Sequence, residues 1–281
     1  MAQIIDGKAI SAQIKEEVKL KAQALKAKGI NPSLAVILVG ENPASQVYVR
    51  NKKKACEACE ITSLSYELSA ETTEEELLSL IDELNERPDC NGILVQLPLP
   101  KHIDEEKVLL KIKPEKDVDG FHPYNVGLLS IGSADLKACT PAGCIELIKR
   151  SGVEISGKNC VVVGRSNIFG KPVGMLLLSE NGTVTTCHSK TKNLKEVCQS
   201  ADILIAAVGR PNFITGDMIK EGAVVIDVGI NRLDNGKLCG DVNYEECEKK
   251  AGFITPVPGG VGPMTIAMLM NNCIVACEKQ Q

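Results

Sequence analysis

The stretch from Val161 to Pro172, Val-Val-Val-Gly-Arg-Ser-Asn-Ile-Phe-Gly-Lys-Pro, leaves a chain few ways to fold. Three β-branched residues favour a strand, Gly164 opens a tight turn, and Val173, Met175, Leu176, Leu177 and Leu178 continue with the length and period of a helix. A helix start of this kind offers unpaired backbone N–H groups and a partial positive charge to a phosphate. The spacing Gly-x-Ser-x-x-x-Gly-x-Pro keeps the tight turn of a dinucleotide fingerprint but places Arg165 and the Ser166 hydroxyl where that fingerprint keeps bare backbone. Gly164, Arg165, Ser166, Gly170 and Pro172 are therefore candidate cofactor contacts.

The rest of the composition narrows what such a unit can serve. With 281 residues the chain has room for two ordinary domains. Its 32 basic and 36 acidic residues are interspersed and give a net charge of -4, no footprint for nucleic acid or an anionic membrane, so a small ligand is expected. No apolar run reaches about 18 residues and the N-terminus lacks signal-peptide character, which predicts a cytoplasmic, unexported protein. The 12 cysteines lie in apolar segments without framework spacing and read as buried thiols. Only Cys56 and Cys59 have paired spacing, no second pair completes a zinc site, and no metal is expected.

The first half alternates helix and strand. Ile10, Ile14, Val18 and Leu25 predict an amphipathic helix ending at Gly29, followed by a strand over 34–39 buried on both faces. A helix over 45–60 puts Tyr48, Lys52, Ala55, Cys56 and Cys59 on one face and Arg50, Lys53, Lys54 and Glu57 on the other, which turns Lys52 inward. A strand over 61–68 and a Thr-capped helix reaching Asn85 lead to the strand 92–97, apolar except for Gln96. A single amide at the carboxyl end of a buried strand sits where α/β sheets place ligand contacts, although a satisfied structural Gln looks the same. Pro98 and Pro100 keep the next residues extended, a helix is predicted over 102–113, and Asp117 and Asp119 share a Gly-containing turn that either carboxylate could simply cap. Residues 124–136 show little periodicity and read as a linker.

The second half reads as a doubly wound parallel sheet: a helix from Thr140 and Pro141 to near Gly152, then strands over 161–163, 183–187, 203–208, 224–228 and 253–256 alternating with helices. In an NAD site an acid about 20 residues beyond the Gly turn receives the ribose hydroxyls. Here the second strand runs into His188, Ser189, Lys190 and Thr191 with no acid, and Arg165 lies in the turn, a pocket suited to a 2′-phosphate; NADP is favoured. The Gly- and Pro-rich run 256–265 places Pro263 as first residue of a final helix. That helix is expected to return to the first domain, giving two α/β domains, 1–138 plus 263–281 and 139–262, with a cleft between them.

Five segments together, Tyr48-Val-Arg-Asn-Lys52, Val95-Gln-Leu-Pro-Leu-Pro100, Lys116-Asp-Val-Asp-Gly-Phe121, Gly164 to Pro172 and Pro258-Gly-Gly-Val-Gly-Pro-Met-Thr265, resemble the bifunctional methylenetetrahydrofolate dehydrogenase/methenyltetrahydrofolate cyclohydrolase family across essentially the whole chain. The resemblance implies oxidation of 5,10-methylenetetrahydrofolate by NADP to the methenyl cation, its hydrolysis to 10-formyltetrahydrofolate, a Rossmann-like cofactor domain and a homodimer. It implies Lys52, Tyr48, Gln96 and Asp119 as catalytic residues. Reduced folate would meet Tyr48, Val95, Gln96, Leu97 and Asp119, with Pro258, Gly259, Gly260, Val261 and Gly262; Ser189 and Ile230 would join the cofactor contacts. Tyr48 suits stacking on flat rings, Asp119 a bidentate grip on the guanidine-like pterin edge, Gln96 the orientation of Lys52, and Lys52 the activation of water or relay of protons. Two rivals predict different behaviour: a dehydrogenase of another pterin or cyclic acid on the same scaffold would lack hydrolysis, and an NADP-sensing module would bind without turnover.

Overall fold

The computed structural model describes residues 1–233 and 235–281. In chain order the elements are β1 (Gln3–Ile4), α1 (Gly7–Lys26), β2 (Ser33–Val39), α2 (Pro43–Ala58), β3 (Thr62–Leu68), α3 (Glu74–Glu86), β4 (Gly92–Val95), α4 (Glu105–Lys111), α5 (Pro123–Ser130) and α6 (Cys139–Arg150). There follow β5 (Asn159–Val163), α7 (Gly170–Ser179), β6 (Thr183–Cys187), α8 (Leu194–Gln199), β7 (Ile203–Ala206), β8 (Val224–Asp227), β9 (Asn231–Arg232), β10 (Leu238–Cys239), α9 (Tyr244–Cys247), β11 (Phe253–Ile254) and α10 (Val261–Lys279). The chain divides into two compact α/β units, one of Met1–Ser11 with Thr140–Thr265, the other of Ala12–Cys139 with Ile266–Gln281.

The second of these units is built on a parallel sheet in the order β3-β2-β4. All seven residues of β2 are buried, as expected for the central strand of a covered parallel sheet. Ala35, Ile37 and Val39 meet Leu77, Ile81 and Leu84 of α3 in one core. A reciprocal cap starts α3: Thr73 Oγ1 accepts from the Glu76 N–H at 3.2 Å, and Glu76 Oε2 accepts from the Thr73 N–H at 2.8 Å. The end of α10 closes this unit, with Asn272 Nδ2 donating to the carbonyls of Val118 (2.9 Å) and Lys137 (2.8 Å).

The other unit holds six parallel strands in the order β1-β11-β8-β7-β5-β6. Its core runs from Val161 and Val163 through Leu204 and Ala206 to Val225 and Ile254. The sheet order is that of a doubly wound fold. β1 belongs here because Gln3 and Ile4 pair with Phe253 and Ile254, so residues 1–11 group with the six-stranded sheet and not with 12–138.

Several boundaries differ from the sequence expectation. Residues 123–130 form a helix where a linker is predicted: Pro123 opens it and His122 Nδ1 accepts from the Tyr124 N–H at 3.1 Å. Asp104 caps α4 through the N–H groups of Glu106 and Lys107, which starts that helix later than residue 102. The Thr140 hydroxyl bonds Thr265 Oγ1 at 2.9 Å instead of capping, and α6 begins at Cys139. The last helix begins at Val261, two residues before Pro263, and its 19 residues are long and apolar enough to cross a membrane by length and composition. Ala267, Leu269, Met270, Cys273, Ile274 and Cys277 along it are nevertheless buried in the protein.

Candidate active site

In the unit of the three-stranded sheet, four expected residues come from three consecutive structural decisions. Asn42 caps α2 and Pro43 begins it, which fixes the face on which Ser45, Val49, Lys52, Ala55 and Cys56 are buried. Lys52 is only 8% exposed, while Arg50, Lys53, Lys54 and Glu57 are exposed. Tyr48 does not join the buried row: Val49 takes that place, and the Tyr48 ring, one turn before Lys52, is half exposed. An open aromatic face is what a stacking platform requires.

Gln96 follows the end of β4 and extends the ladder by one bond, its N–H donating to the Ile37 carbonyl at 2.8 Å. Its side-chain Nε2 donates to the Leu97 carbonyl at 2.7 Å, which turns Oε1 toward Lys52, whose Nζ donates to it at 2.9 Å. The amide is thus oriented by two bonds that only one assignment of its N and O can satisfy. Val95 is buried and packs in the core, with Leu97 partly buried against it, so both offer main chain more than side chain.

The turn after residue 116 separates its two carboxylates. Lys116 is buried and its Nζ donates to the carbonyls of Leu84 (3.0 Å) and Arg87 (2.8 Å), closing the end of α3; burial lowers the pKa of its amine. Asp117 is the structural cap: Oδ1 accepts from the Gly120 N–H, and Oδ2 from the His122 N–H and Asn125 Nδ2. Gly120, at φ +74, stands so close to the chain that an added Cβ would lie 2.5 Å from the Ala138 nitrogen. Asp119 makes no hydrogen bond among the described residues. Desolvation raises its pKa, Lys52 opposes the rise, and Asp117 adds to it. A buried-side carboxylate with no donor of its own, beside a Lys held by a Gln, is a site lacking a donor-rich partner. Buried thiols of this unit are poor nucleophiles: burial pushes Cys56 up to about 12 and Cys59 up to about 11, and holds Cys139, beside Asp119, well above the ordinary range.

The other unit holds the second group. Gly164 has φ +141 and an added Cβ would lie 2.3 Å from the Ala207 carbonyl oxygen; one on Gly170 would lie 2.2 Å from the Gly164 oxygen. These two glycines make the backbone cradle from which α7 starts, with Pro172 buried in its first turn. Ser166 Oγ accepts from the Gly170 N–H at 3.4 Å, while Arg165 and Ser166 are exposed. Because β5 pairs with β6 at Val163 and Cys187, and the Gly164 N–H bonds the Cys187 carbonyl at 3.0 Å, Arg165 and Ser189 follow side by side from adjacent strand ends. Ser189 is exposed on a turn that His188 and Thr191 fix, through Thr191 Oγ1 (2.8 Å from the His188 N–H) and His188 Nδ1 (3.1 Å from the Lys190 N–H). Residues 188–191 include no acid.

Pro258, Gly259, Gly260, Val261 and Gly262 line a hollow of about 190 Å³, together with Ile230, which is 54% exposed. Lys8, which sequence reasoning passed over, lines it too: a Cβ on Gly259 would lie 3.4 Å from Lys8 Cε. Also unanticipated are two buried acids at the rim of the sheet, Asp227 and Asp241. An Asp closing the apolar strand 224–228, and a Gly-Asp pair after it, were the available signals.

Two family models match: tetrahydrofolate dehydrogenase/cyclohydrolase, catalytic domain, over residues 5–119, and its NAD(P)-binding domain over residues 138–281. The chain is 64% identical over the full length of both chains to the bifunctional protein FolD of Lachnoclostridium phytofermentans. Among solved structures, the bifunctional FolD methylenetetrahydrofolate dehydrogenase/cyclohydrolase of Campylobacter jejuni is similar at 52% identity and TM-score 0.97, covering 100% of both chains. The Trypanosoma brucei dehydrogenase-cyclohydrolase, complexed with NADP cofactor and inhibitor, is similar at 43% identity and TM-score 0.93, covering 99% of this chain and 98% of its own.

Proposed function

Since the chain belongs to the tetrahydrofolate dehydrogenase/cyclohydrolase family, we propose that it oxidises 5,10-methylenetetrahydrofolate with NADP and hydrolyses the resulting methenyl cation to 10-formyltetrahydrofolate. The observation that carries the reading is the Lys52–Gln96 hydrogen bond beside the donor-free Asp119.

The folate is held by its two ends of chemistry. Asp119 accepts from the N–H groups of the pterin edge, which supplies the donors its carboxylate lacks and favours its anionic form. Tyr48 stacks on the ring system, and the main chain at Val95, Gln96 and Leu97 borders it. The residues of the Gly164 turn fit NADP: Gly164 and Gly170 leave backbone room for a diphosphate, and Arg165 with Ser166 and Ser189 offers a cation and hydroxyls to a 2′-phosphate. When bound, NADP accepts a hydride from the methylene carbon. Pro172, Ile230 and the loop from Pro258 to Gly262 shape this unit's surfaces toward cofactor and substrate.

Hydrolysis asks more of the side chains. A C–O bond forms between water and the methenyl carbon, the C–N5 bond breaks, N5 gains a proton and one proton leaves for solvent. Lys52 Nζ moves the proton from the attacking water, and Gln96 Oε1 keeps Nζ on station. Mixing the enzyme with methylenetetrahydrofolate and either nicotinamide cofactor tests the whole reading: reduction of NADP, transient methenyl absorbance and its decay are expected. Methenyl product that accumulates no faster than it decays in buffer would leave a dehydrogenase alone, and binding without turnover would leave neither activity.

The exposed outer edge of β3, seven residues long at the border of its sheet, supports association of two copies. Sedimentation velocity at assay concentration should give a dimer; monomer alone would overturn this part.

A further inference from the structure

Beneath the carboxyl ends of β7 and β8 lie two buried carboxylates that the reaction above does not use. Asp241, with no exposed surface, accepts four hydrogen bonds: from the backbone N–H groups of Val208 (2.6 Å), Gly209 (2.9 Å) and Arg210 (3.0 Å), and from Asn231 Nδ2 (2.9 Å). Three successive N–H groups converging on one point form an anion-binding concavity, and Gly209, at φ +66, supplies the left-handed residue such a curl needs. Here the anion is the protein's own. Asp227 holds the holder: Oδ1 accepts from the N–H groups of Gly229 (3.0 Å) and Asp241 (2.9 Å), and Oδ2 from that of Val242 (2.9 Å). The packing leaves no slack, since a Cβ on Gly229 would lie 2.3 Å from Asp241 Oδ1 and one on Gly240 1.8 Å from Asp227 Oδ2.

What the pair grips is set by topology. β5 has β6 on one side and β7 on the other, so the strand order reverses between β5 and β7, and ligands of open α/β sheets bind outside the carboxyl ends at such a point. Residues 207–210 form one wall of that crevice and the Gly164 turn the other, packed so closely that Gly164 cannot carry a side chain against Ala207. The same carboxylates fix Gly229 and Asn231, the neighbours of Ile230 on either side.

We infer that Asp241, held in place by Asp227, is a positioning residue for the NADP site: by filling the concavity of residues 208–210 and anchoring Asn231, it sets the wall and the Ile230 side chain on which cofactor affinity depends. The inference rests on the NADP reading above and concerns a residue that itself touches neither substrate nor cofactor.

Asp241→Asn keeps the size but turns an NH2 toward N–H donors. Titration calorimetry of the cofactor-free enzyme should show the Kd for NADP raised roughly tenfold or more, the scale of one lost charged hydrogen bond. Cyclohydrolase activity on preformed methenyltetrahydrofolate, assayed without nicotinamide cofactor, should be unchanged. If that variant does not accumulate folded, Gly209→Ala serves: nothing lies within 4 Å of the added Cβ, so only the left-handed backbone is penalised, and a rise of roughly threefold in Kd is expected, again with cyclohydrolase activity intact. An unchanged Kd in the folded variant, or cofactor affinity and cyclohydrolase activity falling together, would overturn the inference. A wild-type enzyme that neither binds nor reduces NADP would instead overturn the functional reading on which it rests.

Discussion

Replacing Lys52 by Met separates the two chemistries at one residue. The side chain is 8% exposed and its Nζ donates to Gln96 Oε1 at 2.9 Å. Met fills a similar volume and needs no hydration, so the loss of one charged hydrogen bond, worth about 1.5–3 kcal/mol, is partly offset by the desolvation no longer imposed on an ammonium group. The fold should survive. Hydrolysis loses its proton carrier, and general acid–base catalysis is worth about 10²–10⁴-fold, or about 3–5 kcal/mol of barrier. Hydride transfer depends on positioning, and the Tyr48 ring and the Asp119 carboxylate remain, so dehydrogenase activity should stay measurable. A further effect follows from charge: Lys52 holds the Asp119 pKa down, so its removal lifts that pKa further. The carboxylate accepts the pterin donors only when ionised; folate binding is therefore lost as pH falls, and in Lys52→Met the loss should begin at a higher pH than in the wild type. Decay of methenyl absorbance, NADPH formation and folate binding across pH read the three quantities. As a control, Tyr48→Ala removes the platform common to both reactions and should depress them together. If Lys52→Met lowered both activities in equal proportion, in a folded protein that binds folate normally, the role given to Lys52 would be wrong and the side chain would be a boundary Lys with its stem buried.

Arg165→Ala should weaken NADP binding by about 1.5–3 kcal/mol and leave NAD binding nearly unchanged, because only NADP carries the 2′-phosphate; equal losses in a calorimetric comparison would make Arg165 structural. Burial lifts Asp227 to about 6 in spite of three backbone donors that pull it down, whereas an unfolded Asp titrates near 3.9. Between about pH 4 and 6 the native state therefore keeps a proton that the unfolded chain has released, so the stability from this proton is full below that window and lost as pH rises through it, an amount of about 3 kcal/mol. In urea titrations the stability of wild type relative to Asp227→Asn should fall by that amount from pH 4 to 7, and a difference independent of pH would refute the shift.

What the sequence disclosed follows from how local each signal is. The runs 34–39, 92–95 and 161–163 announce buried strands because every residue in them is apolar, and the glycine at each end of the Gly164 turn announces a tight approach. Helix α5 escaped because Pro123, Tyr124, Val126, Leu128 and Leu129 surround it with apolar groups on no single face, so periodicity has nothing to register. Strands β1, β9 and β10 are two residues each, too short to carry a pattern, and β1 exists only through partners about 250 positions away. At the site, the inward turn of Lys52 was legible from helical spacing, but its bond to Gln96 joins residues 44 apart. The choice between Asp117 and Asp119 was not readable from the motif itself: it depends on the N–H groups of Gly120 and His122 and on Asn125, which the turn brings to Asp117 alone. What Asp241 holds was not readable for the same reason, since its partners come from two other segments.

The pairing of residues 3–4 with residues 253–254 also sets an order of events during synthesis. β1 is translated long before the strand it must join, and among the described residues it has no other strand neighbour, so it has to remain unpaired until residues 253–254 are made. The three-stranded unit faces the same delay, because the carbonyls of Val118 and Lys137 await Asn272. Neither unit can be completed as a separate module on the ribosome, and contacts of such sequence separation are slow to form and leave apolar edges open meanwhile. Nascent chains stalled shortly before residue 253 should on this account be protease-sensitive at both their early and late segments, and residues 253–281 convert two unfinished units into finished ones.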